Sequence, residues 1–237
     1  MLIFNYVPQG SVLLVQGSAF SLDRLVPCSY LLSFRNAVHV LFVEYDKELR
    51  AVFVSRYHKA KIACSMITSP AFEPEEAVTI YKDSNDKFIV ESLEINQNIW
   101  YLISGNRMSG EQKSLSMNAL GTKSHKRVIS DDIGLLVCSI WRDMVNDAAI
   151  PKDESSSKKS HTMWLDGTSF RFLLDKEECG FANVFPASGR IDKLVKIGKL
   201  LHKYSKSSEQ EAESVKKELQ SKLIELNGLI RNSKGKD

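Results

Sequence analysis

The apolar positions change rhythm along the chain. From residue 1 to about 128 they come in short runs between polar turn formers, which predicts a β-rich part. Leu2–Tyr6 and Val12–Gln16 flank the turn cluster Pro8-Gln9-Gly10. Ser29–Phe34 precedes Val38–Tyr45, where Val38, Val40 and Phe42 alternate with His39, Leu41 and Val43. Both faces of that run are largely apolar, as in a central strand covered on both sides. Asp46-Lys47-Glu48 reads as a hairpin turn and Leu49–Tyr57 as the returning strand. Lys61–Thr68, Thr79–Lys82, Lys87–Glu94, Ile99–Ser104 and Lys113–Met117 read as further strands, and Pro74-Glu75-Glu76 as one helical turn. Gly105–Gly110 reads as a hairpin loop. Strands repeating every ~8–12 residues predict a curved antiparallel sheet or an open barrel.

After a polar link at Gly121–Ser130 the period becomes helical. Ile133, Leu136, Val137, Ile140, Trp141 and Met144 form one stripe, with Ser130 or Asp131 able to cap it and Pro151 to end it. Lys152–Ser160 is a hydrophilic loop. Trp164-Leu165 and Ser169–Leu174 flank Asp166-Gly167, a pair suited to a type I′ turn, so they read as a hairpin. Lys176-Glu177-Glu178 is the next turn and Phe181–Phe185 the third strand. Ile191, Leu194, Val195, Gly198 and Leu201 give a second helical stripe, and Val215, Leu219, Leu223, Leu226 and Ile230 a third. A glycine inside a helix costs about 1 kcal/mol against alanine, and a close helix-to-sheet approach would explain Gly198. The expectation is an α+β protein. An antiparallel β-rich part (1–128) is followed by a helix–three-strand meander–helix part with a C-terminal helical extension (129–237), the two able to share one domain.

Composition narrows the classes without selecting one. Apolar residues make up 43% and charged residues 26% of 237, so the chain is neither disordered nor a small disulfide scaffold. Net charge is +3 and the pI about 8.5, too balanced to imply nucleic acid as a partner. The apolar run at Val12–Val15 is too short for a membrane helix or signal core, and no basic segment precedes it. A cytoplasmic protein with no membrane partner is therefore expected. Cys28, Cys64, Cys138 and Cys179 are widely spaced and form no Cys-x-x-Cys, which reads as four reduced, mostly buried thiols.

The segment Trp141-Arg142-x-Met144, Leu165-Asp166-Gly167-Thr168-x-Phe170-x-Phe172 and Leu194-Val195-x-Ile197-Gly198-x-Leu200-Leu201-x-x-Tyr204 resembles a module of uncharacterised bacterial proteins. Some of these are thought to be immunity-type proteins encoded beside secreted antibacterial toxins. The resemblance covers about a quarter of the chain. It implies a bacterial source and a protein partner, and it supplies no catalytic residues.

The chain carries no local chemical signature. His39, His58, His125, His161 and His202 form no His-x-x-x-His or His-Glu-x-x-His pair, and there is no phosphate loop and no Gly-x-Ser-x-Gly elbow. No catalytic, metal or cofactor residues are assigned and no cofactor is expected. Cys28 with His39 or His58 is the one thiolate pair that can be imagined. Trp100, adjacent to Tyr101 in an expected strand, is either core or an interface anchor. Glu177 and Glu178 form an acidic turn able to face a basic partner. The stripe containing Val215, Leu219, Leu223 and Leu226 must be covered by the chain's own sheet or by a second copy in a homodimer. The expected function is a non-enzymatic bacterial binding protein that blocks a cognate toxin. A hydrolase-like enzyme whose site is assembled from distant residues is the alternative.

Overall fold

The computed structural model describes residues 13–16, 25–28, 37–57, 59–60, 63–109, 120–147, 160–163, 167–174, 178–183 and 189–234. In chain order the elements are β1 (Leu13–Gln16), β2 (Val26–Pro27), α1 (Ala37–Phe53), β3 (Ala63–Pro70), β4 (Glu76–Lys82), β5 (Phe88–Glu94) and α2 (Ile99–Ser109). Then come β6 (Lys123–Val128), α3 (Asp131–Asn146), β7 (Ser160–Met163), β8 (Thr168–Leu174), β9 (Glu178–Asn183), α4 (Arg190–Lys206) and α5 (Glu209–Lys234). The α+β class expected from the sequence is the class observed. Seven strands pair antiparallel in the order β2-β9-β8-β3-β4-β5-β6, while β1 pairs with β7 apart from them. Because β3 pairs with β8, the 1–128 and 129–237 stretches contribute to one sheet.

Strand alternation gives the sheet two apolar faces, and each carries its own helices. Met66, Val78, Ile80, Val90, Phe170 and Phe172 point to one side, where Trp141 of α3 and Leu194 and Leu201 of α4 close the larger core. The α5 stripe, Val215, Leu219, Leu223, Leu226 and Ile230, belongs to the same core, and α5 packs on α3 and α4. Ile67, Ala77, Leu93, Leu173 and Phe181 point to the other side, under Tyr45, Leu49, Val52 and Phe53 of α1 and Ile99 and Ile103 of α2. The layers are thus α1/α2, sheet, α3/α4, and α5 outermost. Among the described residues no helix is long and apolar enough to cross a membrane.

Two glycines set how closely the helices approach. At Gly198 an added Cβ would lie 2.2 Å from Met66 Sδ, so the close approach of α4 to the sheet accounts for this residue. At Gly134 of α3 it would lie 2.5 Å from Cγ of Phe88, a fully buried ring. A ring cannot yield as a thioether chain can. Gly134→Ala gains about 1 kcal/mol of helix propensity, but overpacking a core costs about 1–3 kcal/mol. A net loss of about 1 kcal/mol is expected, read as a lower denaturant midpoint at unchanged slope.

Several expectations fail for identifiable reasons. The hairpin expected at Val38–Tyr45 and Leu49–Tyr57 is the single helix α1 followed by a 3₁₀ turn at Ser55–Tyr57. The expected turn residue Asp46 instead accepts from Arg50 Nε at 2.7 Å, one helical turn on. Ile99–Ser104 is helical, as is Gly105, because both lie in α2. Pro74-Glu75-Glu76 forms no helical turn, and Glu76 begins β4. The polar link contains a strand, β6, held by its pairing with β5. Of the hairpin expected across Asp166-Gly167 only the second strand, β8, lies within the described residues, and it pairs with β3 and β9. The third strand starts earlier than expected, at Glu178. Leu2–Tyr6, Ser29–Phe34, Lys113–Met117, Pro151, residues 152–159 and Trp164-Leu165 lie outside the described residues.

The cysteines are not free thiols. Cys28 is joined to Cys179 with Cα atoms 5.3 Å apart, and Cys64 to Cys138 at 5.8 Å. The first bond ties the segment beside β2 to β9, and the second ties β3 to α3 through the larger core. Widely spaced cysteines hid this, because only the fold brings them together.

Candidate functional site

Among the described residues, three clusters of ionisable side chains gather at the sheet. The β4–β5 register places Glu76 directly opposite Glu94, with Lys123 of β6 beside Glu94. All three face α4. Two carboxylates facing each other across a ladder repel, so such a pair requires a cation. His202 of α4 supplies one: its Nδ1 lies 3.2 Å from Glu76 Oε2 and its Nε2 2.9 Å from Glu94 Oε1. One turn later Lys206 also bonds Glu94 Oε1. The Ser205 hydroxyl, between them, donates to the His202 carbonyl (2.7 Å) and lies in hydrogen-bond contact with Ser92 Oγ of β5 (2.8 Å), which fixes the turn that carries the imidazole. Beside this cluster runs an open groove of about 360 Å³, lined by Lys199, His202, Lys203, Lys206, Ser207 and Glu211.

Charge balance sets the protonation here. Burial alone pushes the His202 pKa down, but its bonds to Glu76 and Glu94 and the Glu76 charge outweigh that and hold it above the usual imidazole value. For Glu94, burial pushes upward, while Lys206 and His202 prevail and hold it below the usual carboxylate range. A raised histidine stabilises the fold fully below its unfolded pKa, near 6.5, and loses that contribution as pH rises through its folded value. A depressed carboxylate contributes above its unfolded pKa and loses that as pH falls through its folded value. His202→Gln should therefore cost about 1–2 kcal/mol near pH 6 and progressively less on the alkaline side. Denaturant midpoints of the two proteins measured from pH 5 to 9 check this. A constant difference would remove the ionic account.

On the opposite face a polar row crosses four strands: Ser65, Thr79, Glu91 and Lys126 are register partners. Glu91 is 1% exposed yet well supplied, accepting from Ser124 Oγ (2.6 Å) and Tyr81 OH (3.1 Å). It pairs with Arg56 at 3.2 Å and Lys126 at 3.4 Å. Burial, then the Glu91 charge, pushes the Tyr81 phenol up to about 12 and raises that of Tyr57 still further. Both phenols therefore keep their protons at neutral pH.

A third cluster orders one end of the sheet. Glu75, fully buried, accepts from Tyr45 OH at 2.7 Å and from the Ile99 amide at 2.9 Å, the first turn of α2. Asn98 donates to the Glu73 carbonyl (2.7 Å) and accepts from the Tyr101 amide (3.1 Å). Arg171, buried beside this cluster, bonds Asp46 (3.2 Å) and Ser69 (3.3 Å), with its guanidinium over the rings of Tyr45 and Phe181. The short 71–75 segment and the start of α2 are thereby tied together, and they present Phe72 (63% exposed) and Tyr101 (51% exposed).

The expected site residues scatter. Trp100 is half-buried with its ring edge-on to Tyr45, 5.4 Å between centroids, and its neighbour Tyr101 is the exposed aromatic. Glu177 lies outside the described residues, and Glu178 opens β9. Val215, Leu219, Leu223 and Leu226 are at most 3% exposed, turned inward from α5 onto the chain's own α3 and α4. The Cys28 thiolate pairing is removed by the bond to Cys179. His39 falls in α1, His58 is outside the described residues, and His125 sits on β6. Glu76, Glu94 and His202 were missed because their spacing becomes meaningful only through strand register and helix docking. The β4–β5 hairpin offered the first part of that signal. No protein-family model, curated protein or solved structure matches this chain.

Proposed function

We propose that this chain is a non-enzymatic protein-binding protein whose contact face is the end of the sheet formed by residues 71–75 and the start of α2. The observation that carries the reading is the pair Phe72 and Tyr101, both more than half exposed, on a frame locked by Glu75 and Asn98. Rigidly presented aromatics supply large contact area at little ordering cost, which is the character of interface anchors. The resemblance of residues 141–204 favours a toxin-type partner, so the reading is an immunity-type protein that blocks its cognate toxin. The two disulfides favour an oxidising compartment over the reducing cytoplasm expected from the N-terminal sequence.

Co-expression with the product of the neighbouring gene tests this. The expected result is relief of toxicity and a stable one-to-one complex. Phe72→Ala/Tyr101→Ala should weaken the complex at least roughly tenfold while leaving stability within about 0.5 kcal/mol per substitution. A neighbour that is harmless, or a complex indifferent to both substitutions, rejects the reading.

A further inference from the structure

We propose that Glu76, Glu94 and His202 form a binding site for a divalent transition-metal cation, with Zn²⁺ as its best-matched probe. One ligand atom from each residue lies within 4.8 Å of the others, and the three come from β4, β5 and α4. An imidazole with two carboxylates is a donor set that suits zinc and its neighbours. The facing carboxylates already demand positive charge, and at present an imidazole edge and the Lys206 ammonium provide it. Neither need remain. Lys206 is 40% exposed on a flexible stem beside the groove, so it can release Glu94 into water without stranding a buried ammonium. A doubly charged ion at this point replaces both contacts: the imidazole gives up one ring proton to solvent and, by rotation, presents the freed nitrogen to the ion.

The backbone beneath these ligands is firmly held. Ser205 bonds Ser92, the Tyr204 hydroxyl donates to the Val128 carbonyl at 3.0 Å, and Arg127 Nε donates to the Tyr204 carbonyl at 3.0 Å. The turn bearing His202 is thus fastened to β5 and β6, so only side chains must move. Three protein ligands leave at least one coordination position for water. The site is independent of the aromatic contact face.

Isothermal titration of ZnCl₂ into the chelator-treated full chain tests the proposal. One-to-one binding is expected, accompanied by a rise in Tm. Glu94→Gln and His202→Gln should each weaken it at least roughly tenfold. His125→Gln, on the same sheet face, should leave it unchanged. The discriminating variant is Lys206→Met, which lowers the stability of the metal-free chain yet should bind Zn²⁺ more tightly, because it removes a competing cation. A damaged fold cannot produce that gain. No binding at millimolar Zn²⁺, equal binding by the Gln variants of the ligands, or weaker binding by Lys206→Met overturns the site.

Discussion

Trp141→Ala is expected to be among the most destabilising single substitutions in the chain. Among the described residues the indole is the largest of the fully buried side chains, packed in the larger core. Its ring meets Phe172 edge-on, 5.7 Å between centroids at 70°. Truncating a buried tryptophan costs about 3–5 kcal/mol, and losing an aromatic pair adds about 1 kcal/mol. For a domain of this size a loss near 4 kcal/mol lowers Tm by about 8–16 °C. Trp141→Phe should retain much of that, since the indole N–H has no acceptor among the described residues and nothing polar is stranded by its removal. Calorimetry on both variants separates volume from polarity. A Tm change under about 2 °C for the alanine variant would contradict the packing.

Loss of the Cys64–Cys138 bond should have an effect of similar size by a different route. Both sulfurs are buried, and the bond closes a loop with a sequence separation of 74. The chain-entropy account assigns a loop of that length about 4 kcal/mol, and removing native disulfides typically costs 2–5 kcal/mol. Cys64→Ala/Cys138→Ala should therefore lower the denaturant midpoint strongly, whereas reductant alone should act slowly because the sulfurs are inaccessible until the core opens. Thiol alkylation provides the direct check. Protein unfolded in denaturant should take up no label without reductant, and four labelled cysteines under those conditions would dismiss both bonds.

How much of this was legible follows from which force fixes each element. α3, α4 and α5 each bury one stripe, and residues such as Val137, Leu194 and Leu219 announced it at helical spacing. α1 was misread because Val38 to Val43 alternates as well as it spirals. The longer series Tyr45, Leu49, Val52 and Phe53, the positions that contact the core, carries the helical period. α2 had a usable sign in Asn98, whose side chain caps the Tyr101 amide. β6 had none, since Lys123–Val128 is almost wholly exposed and is a strand only because β5 pairs with it. The candidate metal cluster was illegible for the same reason as the disulfides. Glu76, Glu94 and His202 come from three elements, and no local pattern encodes where a helix docks.

The two disulfides are also nested, the Cys64–Cys138 loop lying wholly within the one closed by Cys28 and Cys179. Any single backbone cut between residues 28 and 179 therefore leaves the pieces covalently joined. A nick anywhere in that span would release no fragment until a reductant arrived. In a protease-rich setting, this topology converts cleavage from an ending into a scar.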